Sequence, residues 1–184
     1  DLAYDNVNDG TEGMRFTDQY DAYNGAPDRY EWKLVGKKEM YIPYNSYKIA
    51  AKGTAYKDVI QKGHANPDLM RYELHRVWVL EATLKAGQKH SYGKRVFLLD
   101  EDGWNVSWED AYDTRNNLWR IGIHGNMQYY DALVPWTSLN SWHDLTSGSW
   151  LMSGLANEEK ESAKFGSGGK IADFQPDALR RMGN

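Results

Sequence analysis

The stretch RYELHRVWVLEATLK, residues 71–85, carries the clearest structural signal in the chain. Aromatic and aliphatic residues such as Tyr72, Trp78 and Leu84 alternate along it with polar residues such as Glu73 and Lys85. An alternation with period two is typical of a β-strand that buries one face. We therefore predict a strand over residues 71–85 and expect it to organise the fold.

The two sides of this strand are expected to differ. The apolar side, which should point into an interior, comprises Tyr72, Leu74, Trp78, Leu80 and Leu84. His75 and Glu81 should point the other way. The simplest interpretation of His75 is a member of a polar ladder on the sheet surface, because Glu73 lies two residues away on the same side.

Further β-rich segments follow in order along the chain. Residues 92–100 lead into DEDG at 100–103, which is turn chemistry, and the chain then resumes with Trp104, Val106 and Trp108. This arrangement predicts a hairpin. A third strand is predicted over residues 118–124. Short connections between successive strands predict an antiparallel meander.

The flanking segments are less regular. Residues 1–27 are acidic and rich in Gly and Asn, and we predict an irregular segment there. Elsewhere we predict a strand over 30–44 that ends at Pro43, one helical turn at 56–60, short strands at 129–134 and 149–154, a helix at 157–164, a spacer at 166–169 and a terminal helix at 176–181. Residues 1–184 are interpreted as a single domain, with residues 165–184 forming a C-terminal spacer and short helix.

Composition excludes several classes of function. The formal net charge is -4 and no segment concentrates Lys or Arg, so nucleic acid is not expected as a partner. Cysteine is absent, which excludes disulfides and thiolate chemistry. The mean hydropathy is -0.77, and no apolar run approaches the roughly 20 residues of a membrane-spanning helix. The chain begins at Asp1 without a leader, which predicts a processed product or a fragment.

No catalytic or metal-binding motif stands out. The sequence has no G-x-S-x-G elbow, and the five histidines are too widely spaced for a local pair of metal ligands. The carboxylates of residues 100–113 could in principle hide an acid and base pair, but solvated turns explain them more simply. We therefore predict no catalytic residue, no metal site and no cofactor, and expect a protein that is not an enzyme.

Aromatic content is the feature that points to a ligand. The chain has 13 Tyr and 8 Trp but only 4 Phe, and rings with a polar handle favour boundaries between apolar and wet surroundings. Sheets that carry such rings on one face bind sugars by stacking or apolar chains by burial, and the residues leave both classes open. The candidate ligand-binding face consists of Tyr72, Leu74, Trp78, Leu80, Leu84, Phe97, Trp104 and Trp119.

Several long motifs occur together in a familiar order. They are DRYEWKLVGKKE at 28–39 with Tyr41, Pro43, Tyr44 and Asn45, RYELHRVWV at 71–79, EATL at 81–84, KR at 94–95, DED at 100–102, YD at 112–113 and LWR at 118–120. Over residues 27–181 the chain resembles a family of proteobacterial periplasmic proteins of unknown function. That family is similar in fold to the lipoprotein carriers LolA and LolB, open antiparallel half-barrels whose concave face, capped by helices, shelters acyl chains.

The resemblance implies a mainly β (α+β) fold, a partial half-barrel with short helices. It also implies that the chain is the C-terminal portion of a longer protein whose signal peptide is removed and which lies in the periplasm. The expected function is a non-catalytic carrier for a lipid or other hydrophobic molecule, with an envelope transporter or the missing N-terminal portion as a further partner. The alternatives are a carbohydrate-binding β module and a structural subunit of an envelope assembly.

Overall fold

Nine β-strands dominate the computed structural model, which describes residues 3–160, 164–166 and 168–183. The strands are β1 (Tyr30–Pro43), β2 (Ile60–Gln61), β3 (His64–Ala65), β4 (Tyr72–Leu84), β5 (Tyr92–Asp100), β6 (Val106–Asp113), β7 (Leu118–Tyr129), β8 (Val134–Asp144) and β9 (Trp150–Ser153). The helices of the described residues are short: α1 (Tyr47–Ala50), α2 (Tyr56–Val59) and α3 (Pro176–Met182). None of them is long and apolar enough to cross a membrane.

Seven of these strands form one open antiparallel sheet in the order β1-β4-β5-β6-β7-β8-β9. From β4 onward the order follows the chain, because short turns join each strand to the next. β1 is the exception, since the long connection of residues 44–71 brings the chain back to form β4 beside it. The small hairpin of β2 and β3 lies within that connection.

The sheet curls strongly at one end. A bulge at Val35 shifts the register between β1 and β4, and Gly36 there has a φ of +136°, which glycine tolerates best. Just beyond β1, Tyr44 forms a bridge with Asn126 of β7, and the backbone N–H of Asn45 donates to the Asn126 carbonyl at 2.8 Å. The end of β1 therefore reaches the middle of the sheet across its concave side.

We call this concave side the inner face. Ile42, Val77, Val79 and Leu98 are buried together there, with Trp108 of β6 packed against them. On the opposite, outer face, Tyr30, Ala82 and Phe97 form a second buried cluster that includes Leu80 and Leu84 at its edge. The sheet thus has an apolar cluster on each side.

Residues 3–29 cover the outer face. This segment contains only short 3-10 turns and an isolated bridge between Val7 and Phe16, so the predicted irregularity is confirmed for the described residues. It is nevertheless well packed. Met14, Phe16 and Ala22 are buried, and Phe16 contacts Tyr92 edge to face at 5.0 Å between ring centroids.

The prediction of a mainly antiparallel, open sheet with short helices is confirmed. The strands predicted over residues 30–44, 71–85, 92–100 and 149–154 correspond to β1, β4, β5 and β9, and the terminal helix to α3. The helical turn at 56–60 corresponds to α2.

Two sequence predictions are wrong, and one predicted strand is longer than expected. The segment 129–134, predicted as a strand, contains the turn between β7 and β8, where Leu133 has a φ of +55°. The strand predicted to end at His124 continues to Tyr129, and β8 had no counterpart because Ser138, Asn140 and Ser141 interrupt its apolar pattern. The helix predicted at 157–164 is not helical over residues 157–160, and residues 161–163 lie outside the described part.

The predicted burial along β4 needs a correction. Tyr72 and Leu74, expected to point into an interior, are 48% and 56% exposed. The most deeply buried side chains of β4 include Val77 and Val79, which lie on the inner face with His75. The reason is that the curl buries β4 on the inner face, whereas Tyr23 of the N-terminal segment packs on its outer face only near Leu80 and Leu84.

Candidate functional site

The inner face of the sheet is a concave surface lined by apolar side chains. Val77 and Val79 are fully or almost fully buried at the curled end. Farther along the same face, Val96, Trp108 and Ile123 keep part of their surface exposed. The register aligns these residues, since Val79 lies opposite Leu98, Leu98 opposite Trp108, and Trp108 opposite Ile123. The result is a continuous apolar row across four strands.

The connection between β1 and β4 covers the end of this row at Ile123, next to β8. Ile49 of α1 and Val59 of α2 are completely buried against Leu139 of β8. Asn157 holds this covering segment in place, because its side-chain amide donates to the carbonyl oxygens of Ile49 at 2.6 Å and of Thr54 at 3.1 Å. Beneath the connection lies a cavity of about 220 Å³ lined by nine residues: His64, Ala65, Pro67, Met70, Tyr72, Ile123, Leu139, Ser141 and His143.

A serine and a histidine meet in this cavity. The hydroxyl oxygen of Ser141 lies 3.1 Å from Nε2 of His143, the separation of a nucleophile and its base. Burial lowers the pKa of His143, and the charge of His64 acts in the same direction, so the imidazole is neutral near pH 7. Among the described residues, none supplies a carboxylate within ion-pair distance of His143. The pair therefore lacks the carboxylate of a triad, and a backbone hydrogen bond with Gly63 orients the imidazole instead.

A polar cluster lies at the end of β4 near the tight turn after β5. His75 Nδ1 is 2.7 Å from Oδ1 of the buried Asp100, and its Nε2 is 3.5 Å from Glu73 Oε2. The Tyr44 ring packs on the imidazole at 4.3 Å between centroids. Burial alone would lower the pKa of His75, but the hydrogen bond and negative charge of Asp100, together with Glu73, raise it.

This cluster also contains the one group of potential metal ligands found in the described part of the chain. Ligand atoms of His75, Asp100 and Asp102 lie within 4.8 Å of one another. From the sequence, the two aspartates were predicted to be turn residues and no metal site was expected. Asp100 does serve the turn, because its Oδ2 accepts the Gly103 N–H at 2.8 Å. Its other oxygen bonds His75 Nδ1, so two of the three groups are already paired with each other.

The outer face carries a buried network of charges. Arg95 is fully buried and donates to Glu109 Oε1 at 2.6 Å, to Asp18 Oδ2 at 2.9 Å and to the Ala22 carbonyl at 3.1 Å. Gln19 donates to the other oxygen of Glu109 at 3.2 Å. Burial would raise the pKa of Asp18, but the neighbouring His90 and the positive charge of Arg95 outweigh it and lower the pKa. These contacts join residues 18–22 to the sheet.

Four residues of the predicted ligand-binding face belong to packed clusters of the outer face. Leu80, Leu84 and Phe97 pack with Tyr23, Tyr30 and Trp32. Trp119 packs beside Phe16 and Tyr92, and its indole N–H donates to Asp144 at 2.8 Å.

The other four residues lie apart from one another. Tyr72 lines the inner cavity, and Leu74 is exposed beside the His75 cluster. Trp78 lies under the ammonium group of Lys37 at 4.4 Å, and Trp104 is 68% exposed on a separate cleft of the outer face. The structure therefore does not bring the eight residues together in one surface.

The residues of the inner face were missed by the sequence analysis for a physical reason. Val77, Val79 and Ile123 are β-branched residues without polar groups. The predicted ligand-binding face, in contrast, was inferred from the high content of Tyr and Trp. The usable signal was the run Val77-Trp78-Val79-Leu80, where apolar residues occupy both sides of the strand. An uninterrupted apolar run indicates a strand buried on both faces.

Comparisons with known proteins agree with the fold. The chain is similar to the crystal structure of a protein from Vibrio parahaemolyticus that is provisionally named an outer membrane lipoprotein-sorting protein domain. The TM-score is 0.54 and the sequence identity is 15%. The similarity covers 97% of this chain and 58% of that chain. A crystal structure of a DUF1329 family protein from Desulfovibrio piger also matches, at a TM-score of 0.43 and 15% identity over 83% of this chain and 48% of that chain.

Sequence comparison identifies the family. The chain is 48% identical over 182 residues to an uncharacterized protein of Pseudomonas aeruginosa, and the match covers 99% of the chain but 40% of that protein. It therefore spans less than half the length of this curated relative. The family model described as protein of unknown function, DUF1329, matches residues 1–180. The resemblance inferred from the motifs is thus confirmed, and the chain belongs to the DUF1329 family.

Proposed function

We propose that this chain is a non-catalytic binding and carrier module for a lipid or other hydrophobic molecule, and that the inner face of its open sheet holds the ligand. The observation that carries the proposal is the continuous row from Val79 through Leu98 and Trp108 to Ile123, which is apolar and buried at one end but partly exposed at the other. A concave apolar surface of this kind gains free energy when it covers an apolar ligand.

The similarity to the Vibrio structure supports a carrier over other binding roles. That domain is named for the sorting of outer membrane lipoproteins, and its fold is similar to that of this chain. The same similarity supports a location in the cell envelope, and we propose the periplasm of a Gram-negative bacterium. Transport of the ligand between membranes is the corresponding biological role.

The exposed edge of β1 suggests a partner for this strand. Among the described residues β1 pairs with β4 on one side only, and it is 14 residues long. Leu34, Val35 and Tyr41 are exposed along it. Long unpaired edges favour the addition of another strand. We propose that the remaining portion of the longer protein pairs with β1 and extends the half-barrel, and that an envelope transporter is a further partner.

The proposal includes the statement that the chain is not catalytic. This statement can be tested at Ser141 and His143. The Ser141 side chain is buried in the cavity, and no carboxylate of the described residues orients His143. We expect the complete natural protein and its Ser141→Ala variant to hydrolyse p-nitrophenyl butyrate at the same background rate. A rate that falls in the variant would instead identify an esterase.

Ligand binding is tested with a dansyl-labelled fatty acid as the fluorescent probe. The complete natural protein should give saturable binding, and Ile123→Lys should weaken it by about tenfold or more, which corresponds to about 1.4 kcal/mol. The matched control is Ile171→Lys, which makes the same substitution at a strongly exposed isoleucine in the turn of residues 171–174, outside the sheet and away from β1. Circular dichroism and the urea midpoint establish that each variant is folded.

The outcomes separate the proposal from its alternatives. Equal loss of binding in Ile123→Lys and Ile171→Lys, or no saturable binding by the natural protein, would contradict a ligand on the inner face. Ile123→Ser provides a second variant if the lysine prevents folding. Native mass spectrometry of protein purified from its source should show a co-purified lipid, and the ligand-free mass alone would favour a structural subunit.

A further inference from the structure

A second concave surface lies on the outer face, away from the proposed carrier site. It is a cleft of about 320 Å³ between the N-terminal segment at Asp21–Tyr23, the turn at Trp104–Val106 and the strands β7 and β8. This volume lies at the lower end of the range of small-molecule sites, about 300–1,000 Å³. Its walls come from three distant parts of the sequence.

Aromatic rings border this cleft. Trp136 is 44% exposed and Trp104 is 68% exposed, although indole rings usually cover much of their surface in folded proteins. Tyr23 completes the set, held by edge-to-face contact with Trp32 at 5.4 Å between ring centroids. Two large apolar rings exposed to solvent at the same cleft indicate a ligand-binding or interaction surface.

The backbone at Trp104 is strained. Its φ is +58°, in the left-handed region that a bulky L-residue seldom adopts, and its N–H donates to the Asp100 carbonyl at 3.1 Å. Glycine would fit this position of the turn without strain. Because the exposed Trp104 indole gains little from burial, packing does not account for a tryptophan here. Strain of this kind is concentrated at functional sites.

Planar polar side chains supply the rest of the lining. The Asp21 carboxylate and the Asn105 amide form no hydrogen bond or ion pair with the described residues. Asn140 uses its Oδ1 for His124 Nδ1 at 2.9 Å and for the Thr137 hydroxyl at 3.4 Å, which leaves its two N–H donors directed elsewhere. The buried His124 is therefore a positioning residue that fixes the Asn140 amide.

These features favour a neutral polar ligand over an apolar or anionic one. An apolar molecule would bury Asp21, Asn105 and Asn140 without partners, which is costly. An anion is disfavoured because the described lining contains a carboxylate but neither Lys nor Arg. A neutral saccharide satisfies both requirements, since its C–H face packs on aromatic rings and its hydroxyls pair with amides and carboxylates.

We propose that the cleft of Tyr23, Trp104 and Trp136 binds a neutral saccharide, either a free oligosaccharide or the glycan of an insoluble polymer. Trp104 and Trp136 contact the sugar ring, while Asn105 and Asn140 bond its hydroxyls. This site is separate from the inner face, so the module would bind a saccharide independently of any hydrophobic ligand.

The test uses the complete natural protein with maltohexaose, cellohexaose and chitohexaose, followed by tryptophan fluorescence and calorimetry. Sedimentation with insoluble cellulose, chitin and peptidoglycan distinguishes a polymer from a free sugar. We expect saturable binding to at least one of these probes. Trp136→Ala should weaken it by about tenfold, or about 1.4 kcal/mol. The control is Trp150→Ala, since Trp150 stacks on His143 of the inner face.

The decisive variant is Trp104→Gly. It relieves the positive φ, so the urea midpoint should stay the same or rise, while saccharide binding should be lost and binding of the dansyl fatty acid should not change. If Trp104 were only structural, Trp104→Gly would destabilise the protein and leave any saccharide binding intact. That result, or no binding to any of the six probes, would overturn the proposal.

Discussion

Around Arg95 the outer face of the sheet is held by directed charges, whereas around Leu98 the inner face is held by undirected apolar contact. On the outer face, Arg95 reaches Asp18 and Glu109 through bonds of defined length and angle. On the inner face, Ile42, Val77 and Leu98 need only fill the same space. The two faces should therefore respond oppositely to conservative substitution, because a charge network requires geometry and an apolar cluster requires volume.

The largest effect is expected at Arg95. Arg95→Met leaves Asp18 and Glu109 buried without their cation, and we expect it to lower the free energy of unfolding by about 3–5 kcal/mol. Urea denaturation measures this change. The control is Arg115→Met, which removes a surface ion pair to Asp113 and should cost less than about 1 kcal/mol. Equal effects at the two positions would show that the network contributes nothing specific.

Leu98 offers the corresponding test on the inner face. Leu98→Ala should lower the free energy of unfolding by about 2–3 kcal/mol, since it opens a cavity among Ile42, Val77 and Val79. Leu98→Met, which conserves volume, should cost less than about 1.5 kcal/mol. The charge-conserving Arg95→Lys should be tolerated less well than Leu98→Met. If Leu98→Met proved the more harmful of the two, the contrast between the faces would be wrong.

Two histidines sharpen the comparison through pH. The raised pKa of His75 gives a contribution to stability that is complete below about pH 6.5 and is lost as pH rises through the folded-state pKa. Burial lowers the pKa of His124, and its hydrogen bond to Asn140 only partly offsets this, so its contribution is complete above about pH 6.5 and is lost as pH falls.

Urea midpoints measured across pH should show these opposite signs. The penalty of His75→Gln should be larger at low pH than at high pH, and the penalty of His124→Gln should shrink as pH falls. The slope with pH is compared rather than the absolute stability, because each substitution also changes local packing. Two penalties with the same pH dependence would contradict the assigned charge states.

The smallest effect is expected from metal ions. His75, Asp100 and Asp102 are near one another, but His75 and Asp100 already bond each other at 2.7 Å. Adding EDTA should leave the melting temperature of the natural protein unchanged, and adding Zn²⁺ or Mn²⁺ should not raise it. A metal-dependent rise that disappears in His75→Ala would instead place a cation between the strands.

The candidate sites illustrate the limit of sequence interpretation. Trp104 was recognised from its residue type, yet nothing near it in the chain indicated Trp136 or Asp21 as its neighbours across the cleft. Leu80 and Phe97 were also chosen by type, but they pack beneath Tyr23 and Tyr30 in the interior of the outer face. Residue type indicates what a side chain can do, and packing decides whether a ligand can reach it.

Strand content, the antiparallel order from β4 to β7 and the irregular N-terminal segment could all be determined without coordinates. Alternation and turn chemistry are local properties, so they are present in the chain before it folds. The curl of the sheet, the side on which Val77 lies and the pairing of Asp18 with Arg95 were decided only by the tertiary structure. Asp18 and Arg95 are 77 residues apart, and no local pattern specifies a contact over that distance. The charge network becomes buried, and the two faces take their shape, only when the segments pack together. The reason is that an isolated segment neither curves the sheet nor excludes solvent.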